Sequence, residues 1–266
     1  MAAFFNKEGR TTARRYKRLE CGDYVRECLY SCPELQDKPV ERAAKSQATS
    51  RAQKRVNQQL SKIKLAMKIG GNFGPDDLFI TLTFSPENLP ASYAELQEKV
   101  RKFYDLIRSE RRKRGRETRY IYAPHHSEKV RWHIHGPINA AGPEDWETIK
   151  SLWPWGDVHI KRIKDTAYST PDAMAGYLIG GWEDRPNSAR AWCGSTNLKK
   201  IVATTYREHN EAARLELPAD CELCECDSWS TQWGSYEYVS YLLRENDHSE
   251  DKPQPDSRDL IDRGPL

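Results

Sequence analysis

The stretch Val130-Arg131-Trp132-His133-Ile134-His135-Gly136 decides how the rest of the chain is read. Its β-favouring neighbours make it a strand. A strand alternates its faces with period two, so His133 and His135 project from the same side. Two imidazoles on one face of a rigid strand form a two-point metal platform, with further coordination positions open to water or substrate. The same pattern also describes a pair of solvated or hydrogen-bonded strand histidines. The flanking elements choose between these readings.

Upstream, Leu78-Phe79-Ile80-Thr81-Leu82-Thr83-Phe84 is a β-branched and aromatic strand. Leu78, Ile80, Leu82 and Phe84 share one face, and Phe79, Thr81 and Thr83 the other. Ser92-Tyr93-Ala94-Glu95 is a capping box. It opens a helix that turns Leu96, Val100, Phe103 and Ile107 to a core. Tyr120 to Pro124 is a strand, followed by a loop from His125 to Lys129, and it forms a hairpin with the histidine strand. Downstream, Pro143 to Trp153 gives a short helix with Trp146, Ile149 and Trp153 as core candidates, and Val158 to Ile163 a further strand. Thr170-Pro171-Asp172 starts a helix with a cap, a proline at the first position and an early acid. That helix carries Tyr177 and stops at Gly180-Gly181. This order predicts an α+β fold, with a central antiparallel sheet packed on one face by the helices at 92–113 and 170–180. The histidine face is then either open to a ligand or covered by the helix bearing Tyr177.

Toward the N-terminus, Leu19 to Tyr30 reads as a hairpin turning at Gly22-Asp23. Ser50 to Ile69 is a helix whose apolar stripe is Ala52, Val56, Leu60, Ile63 and Met67. Its other faces carry Arg51, Lys54, Arg55, Lys62, Lys64 and Lys68 with no acidic residue among them. Exposed faces usually interleave both signs, so an all-basic face points to an anionic partner such as nucleic acid. Arg108 to Arg119 is a second basic concentration, containing Arg111, Arg112 and Lys113. It is either a solvated helix end suited to the macrodipole or a phosphate contact. Lys199 and Lys200 form a third basic spot. Lys200 to Tyr206 is a candidate strand, Ser235 to Leu243 a helix or strand, and the residues from Glu245 onward a disordered acidic tail. The expected segments are therefore N-terminal strands and basic helix (1–75), core (76–205), C-terminal extension (206–244) and tail (245–266).

Composition narrows the class. The chain has 266 residues, 30% of them charged, and a mean hydropathy of −0.85. It has no apolar run of membrane-span length, and its first residues lack a signal-peptide core, so a cytosolic (cytoplasmic) protein without membrane association is expected. Cys221-Glu222-Leu223-Cys224-Glu225-Cys226 offers three thiolates to a zinc site. It lacks a second Cys-x-x-Cys, and its acidic neighbours raise thiol pKa values. Reduced, incidental cysteines are the simpler reading.

Three elements stand in order: the threonine-bearing strand Phe79 to Phe84, the strand Trp132-His133-Ile134-His135, and the helix with Tyr177. This set resembles the HUH superfamily of single-strand endonucleases, and more narrowly the rolling-circle replication initiators of small phages and plasmids. Asn72-Phe73, Leu152-Trp153 with Gly156, and Ser195 with Asn197-Leu198-Lys199-Lys200 extend the resemblance over Gly22 to Lys200. It implies an HUH/RRM-like fold in which His133 and His135 bind Mn²⁺ or Mg²⁺. The ion polarises the scissile phosphate, with imidazole better matched to manganese. Tyr177 would attack in line, leaving a 5′-phosphotyrosine and a 3′-OH that primes replication. The implied partners are single-stranded or hairpin origin DNA and a host helicase and polymerase, since the chain contains no Gly-x-x-x-x-Gly-Lys-Ser/Thr motif.

The chain departs from the family twice. A third ligand, commonly acidic and at the end of the preceding strand, is replaced by His125, with His126 and Glu128 as alternatives in the same loop. The lysine that the family places three residues after the tyrosine is Gly180 here, with Lys199 or Lys200 as substitutes. The leading reading is a metal-dependent, tyrosine-nucleophile DNA endonuclease and strand transferase. A degenerate member that binds DNA without cutting is the alternative. An unrelated metal-dependent hydrolase is a third reading, with Glu128 as its near carboxylate.

Overall fold

The computed structural model describes residues 4–5, 11–33, 51–128, 130–182, 185–186, 189–210, 212–231 and 234–244. The acidic tail from Glu245 lies outside the described residues, as does Lys129. In chain order the first elements are β1 (Phe4–Phe5), β2 (Thr11–Cys21), β3 (Tyr24–Pro33), α1 (Arg51–Gly70), β4 (Leu78–Thr83) and α2 (Tyr93–Lys113). β5 (Ile121–Ser127), β6 (Val130–Ile138), α3 (Asp145–Ser151), β7 (Val158–Arg162) and α4 (Pro171–Gly180) follow. The last are β8 (Cys193–Gly194), β9 (Val202–Glu208), β10 (Cys221–Thr231) and β11 (Gly234–Leu243). The fold is α+β with antiparallel sheets. Among the described residues no helix is long and apolar enough to cross a membrane.

The chain divides into a unit of residues 57–199 and a unit of residues 1–56 with 200–266. The second is a sheet in the order β1-β2-β3-β11-β10, with β9 also pairing β2. The expected hairpin is β2–β3, and the segment after Ser235 is strand rather than helix. Its small core contains Val25, Val239 and Tyr241. Arg18 pairs with Glu27 and Glu20 and donates a 2.9 Å hydrogen bond to Tyr241 Oη. Buried charge is thus met by opposite charge.

The 57–199 unit is a five-stranded antiparallel sheet in the order β7-β4-β6-β5-β8. On one face Leu78, Ile80, Leu82, Ile134, Ile138 and Ile160 pack with Leu96, Val100, Phe103 and Ile107 of α2 and Ile149 of α3. On the other, Phe79, Ile121 and Ala123 pack with Leu65, Ala66 and Ile69 of α1 and with Met174, Ala175 and Leu178 of α4. This corrects the expectation of helices on one face only. β4 and β5 are apolar on both sides, and a sheet with two apolar faces needs two covers.

The caps form as expected. Ser92 Oγ accepts the Glu95 N–H at 3.2 Å, while Glu95 Oε2 accepts from Ala91 N–H at 2.9 Å rather than from the cap itself. Two core assignments change. Val56 and Leu60 of the α1 stripe are 51% and 54% exposed, although Met67 is buried. The side of α1 that meets the sheet is centred on Leu65, Ala66 and Ile69. That side is rotated by about a third of a turn from the stripe, at 3.6 residues per turn. Trp146 is exposed, whereas Ile149 and Trp153 are buried.

Candidate active site

The site grows from strand register. In β6, His135 stands opposite Thr81 of β4 and Ala123 of β5, and His133 opposite Thr83 and His125. Cross-strand partners share a face, so His125, His133 and His135 all project to the α4 side of the sheet. β5 runs on to Ser127, which places His125 in a strand rather than in the expected loop. The metal-ligating atoms of the three histidines lie within 4.8 Å of one another. His126 points to the opposite face and stacks on Trp132 at 4.2 Å between ring centroids. Glu128 is in an exposed turn, and among the described residues neither joins the cluster.

Hydrogen bonds fix the rings. A carbonyl can only accept, so His133 Nδ1–H donates to Arg131 O at 2.8 Å and His125 Nε2–H donates to Leu178 O at 3.2 Å. In a neutral imidazole the opposite nitrogen then keeps its lone pair. His135 lies between two hydroxyls, with Nδ1 at 2.8 Å from Thr81 Oγ1 and Nε2 at 3.0 Å from Tyr177 Oη. Burial, reinforced by repulsion from His133, lowers the pKa of His125 to about 4. Burial with repulsion from His125 and His133 lowers that of His135 to about 3. Both are therefore neutral at pH 7, the state in which imidazole ligates metal.

α4 delivers Tyr177. Thr170 Oγ1 caps the helix by accepting from Ala173 N–H at 3.4 Å. Met174, Ala175 and Leu178 anchor it on the sheet, which turns Tyr177 to the histidines. Its ring stacks on Tyr168 at 4.0 Å between centroids. Burial, then the hydrogen bond and charge of Tyr168, push its phenol well above the ordinary value, so it is protonated in this arrangement. The end of the helix is tied to β5, since His126 N–H donates to Gly181 O at 2.9 Å. A Cβ on Gly181 would fall 2.1 Å from Cγ and Nδ1 of His125, whereas one on Gly180 would meet nothing within 4 Å. Gly181 is thus required by close approach, and its φ of −80° is one that any residue adopts.

Residues 77–179 match the family model of the replication-associated protein ORF2/gene 2 protein. The match runs from just ahead of β4 into the last turn of α4, and so contains His125, His133, His135 and Tyr177. It gives this segment a replication-associated character, in keeping with a rolling-circle initiator, and the antiparallel sheet with its histidine cluster agrees with an HUH-type fold. Comparison with curated proteins and with solved structures returns no match.

The cations are dispersed. Lys54, Arg55 and Lys64 are exposed on α1 and Lys62 is half-buried; the Arg51 side chain lies outside the described residues. Arg111 is a correction. It is 1% exposed, with its guanidinium 3.0 Å from Asp145 Oδ2 and 3.0 Å from Asn139 Oδ1, so it is committed to the core rather than to phosphate. Arg112 is exposed, and Lys113 pairs with Glu110 at 2.6 Å. Lys199 and Lys200 are exposed. Cys221, Cys224 and Cys226 are free thiols strung along β10, and among the described residues they form no metal-ligating group. Thr81 is a positioning partner that strand alternation already put on the histidine face. Tyr168 and the role of Gly181 carry no sequence signal.

Proposed function

We propose that the chain is a site-specific single-strand DNA endonuclease and strand transferase that begins rolling-circle replication through a Tyr177 phosphotyrosine. The observation that carries this reading is the 3.0 Å contact of the Tyr177 hydroxyl with His135, inside the three-histidine cluster. Three imidazoles, two of them with tautomers set by backbone carbonyls, suit a divalent ion of the Mn²⁺ or Mg²⁺ type, with manganese the better match to nitrogen ligands. Held by His125, His133 and His135, such an ion supplies Lewis-acid polarisation of the scissile phosphate and charge that favours the phenolate.

The protein's own groups do the rest. Thr81 and the Arg131 carbonyl orient His135 and His133, and α4 presents the nucleophile on the same sheet face. Tyr177 Oη forms a bond to phosphorus as the bond from phosphorus to O3′ breaks. The phenol loses its proton and the departing O3′ gains one, leaving a 5′-phosphotyrosine and a free 3′-OH. The phosphodiester energy is retained in the adduct, so a later 3′-OH can reverse the step.

Incubation with an origin oligonucleotide and Mn²⁺ should give an SDS-resistant covalent adduct that Tyr177→Phe abolishes. An equal adduct from Tyr177→Phe refutes the nucleophile. Gly180, in place of the family's lysine, favours a second reading in which the chain binds DNA without cutting. That reading gives salt-dependent binding, no adduct, and no effect of His133→Ala.

A further inference from the structure

Asn72, Ser195 and Asn197 take no part in the chemistry above, yet they build the wall of a groove beside α1. Ser195 N–H donates to Tyr120 O at 2.9 Å, and Tyr120 N–H donates back to Ser195 Oγ at 3.2 Å. Asn197 Nδ2 donates to Glu117 Oε1 at 2.8 Å and to Thr118 O at 3.2 Å. Asn72 is buried; its Oδ1 accepts from Lys199 N–H and its Nδ2 donates to Lys68 O, each at 2.8 Å. Residues 195–199 are thereby held against the end of α1. The groove they border is lined by Lys64, Lys68, Arg190, Trp192, Ser195 and Thr196 among others, and among the described residues no acidic side chain lines it.

We propose that this groove binds an unpaired nucleotide of single-stranded DNA, as a second contact beyond the Tyr177 site. Lys64 and Lys68 are one turn apart and so share a face of α1, and Arg190 adds a third cation. Trp192 is half-buried against the apolar layer under α1. Its Nε1–H donates to Ser61 Oγ at 3.2 Å, so the indole is a fixed plane. A fixed aromatic plane beside cations is the arrangement that holds a strand of any sequence, with bases stacking and phosphates paired to Lys and Arg. A duplex already has its bases stacked on each other and makes no use of the indole. The groove also lies along the way from the nucleophile. Lys62 Cε is 3.5 Å from where a Cβ on Gly176 of α4 would stand. From Lys62 to Lys68 the cationic edge of α1 covers about 9 Å at 1.5 Å per residue. The proposal rests on the DNA reading of the histidine–tyrosine site for its ligand class, and on the groove for its location.

The test is binding of full-length protein to fluorescein-labelled dT₁₂ across a salt series, read by anisotropy. Trp192→Ala should weaken binding roughly fivefold or more. Lys64→Gln/Lys68→Gln should lower the slope of log K against log salt by about 1.4, two phosphates' worth for a single strand. All variants should keep the wild-type melting temperature and wild-type Mn²⁺ binding. Arg190→Ala, on an exposed residue, gives a second reading of the same slope. Wild-type affinity and slope in every variant overturn the groove while leaving the Tyr177 site standing. Failure of the wild type to bind dT₁₂ at low salt overturns both. Equal loss of duplex and dT₁₂ binding, with no effect of Trp192→Ala, makes the groove a general phosphate contact and overturns the stacking proposal.

Discussion

Adjacent glycines at the end of α4 should respond to alanine in opposite ways. At Gly181 a methyl group would stand 2.1 Å from two atoms of the His125 ring, less than two-thirds of a van der Waals contact. The ring cannot simply rotate away, because its Nε2–H is held by Leu178 O and its strand is paired on β6. Overpacking of this kind costs about 1–3 kcal/mol. For a unit of this size that is about 2–4 °C of melting temperature per kcal/mol. Displacing a metal ligand from its orienting bond should weaken Mn²⁺ binding about 10–100-fold. At Gly180 the added methyl meets nothing within 4 Å, and helix propensity favours alanine by up to about 1 kcal/mol. Gly180→Lys should fold equally well and restores the cation one turn beyond Tyr177. The assay is Mn²⁺ titration by calorimetry with thermal melts, alongside adduct yield. Because the clash is with one ring, Gly181→Ala combined with His125→Ala should cost less than the two changes summed. If Gly181→Ala binds manganese and melts like wild type, His125 does not sit where the register puts it.

Thr81→Val keeps shape but removes the 2.8 Å partner of His135 Nδ1, and should lower Mn²⁺ affinity about 10–100-fold with little change in melting temperature. Arg111→Ala leaves Asp145 buried without its cation and should destabilise by about 3–5 kcal/mol in urea denaturation, whereas Arg112→Ala should change stability by no more than about 0.5 kcal/mol. In metal-free protein, burial holds His125 near 4 and His135 near 3, below the 6.5 of an ordinary imidazole. As pH falls the unfolded chain takes up protons first, so stability is full above about 6.5 and drains away as pH falls through that value toward 3. Melting curves from pH 7 to pH 4 should show a shallower fall for His135→Gln.

The histidine face was legible because period-two alternation is a property of the strand itself, and Thr81, His133 and His135 follow from it without tertiary knowledge. His125 was harder to place, since Pro124 reads as the end of a strand. β8 pairs only Ile121 and Tyr122, so at Pro124 the outer edge of β5 asks for no N–H donor and the strand continues. Tyr177 was legible through its helix signals, while its contact with His135 depends on which sheet face α4 covers. The α1 stripe pointed to the wrong side, because spacing alone cannot tell a buried row from an exposed one. Arg111 stands in a run of cations, and nothing local distinguishes the one that meets Asp145 thirty-four residues later. The groove depends on side chains of Asn72, Ser195 and Asn197 that bond to distant backbone, which no period records.

The pairing of β3 with β11 also sets an order of events at the ribosome. Tyr24 and Leu242 are partners in one sheet, so the first hairpin is made about two hundred residues before its neighbour. At 5–20 residues per second that interval is about 10–40 s. Throughout it, the free edge of β3 offers Val25 and Leu29 to any other nascent hairpin, the kind of template that native proteins keep covered. The histidine-bearing unit needs neither terminal segment for its own sheet. A chain terminated between Lys200 and Gly234 would therefore carry an intact metal cluster together with a bare strand edge, and polysomes crowded with such chains are where this protein should depend most on chaperones.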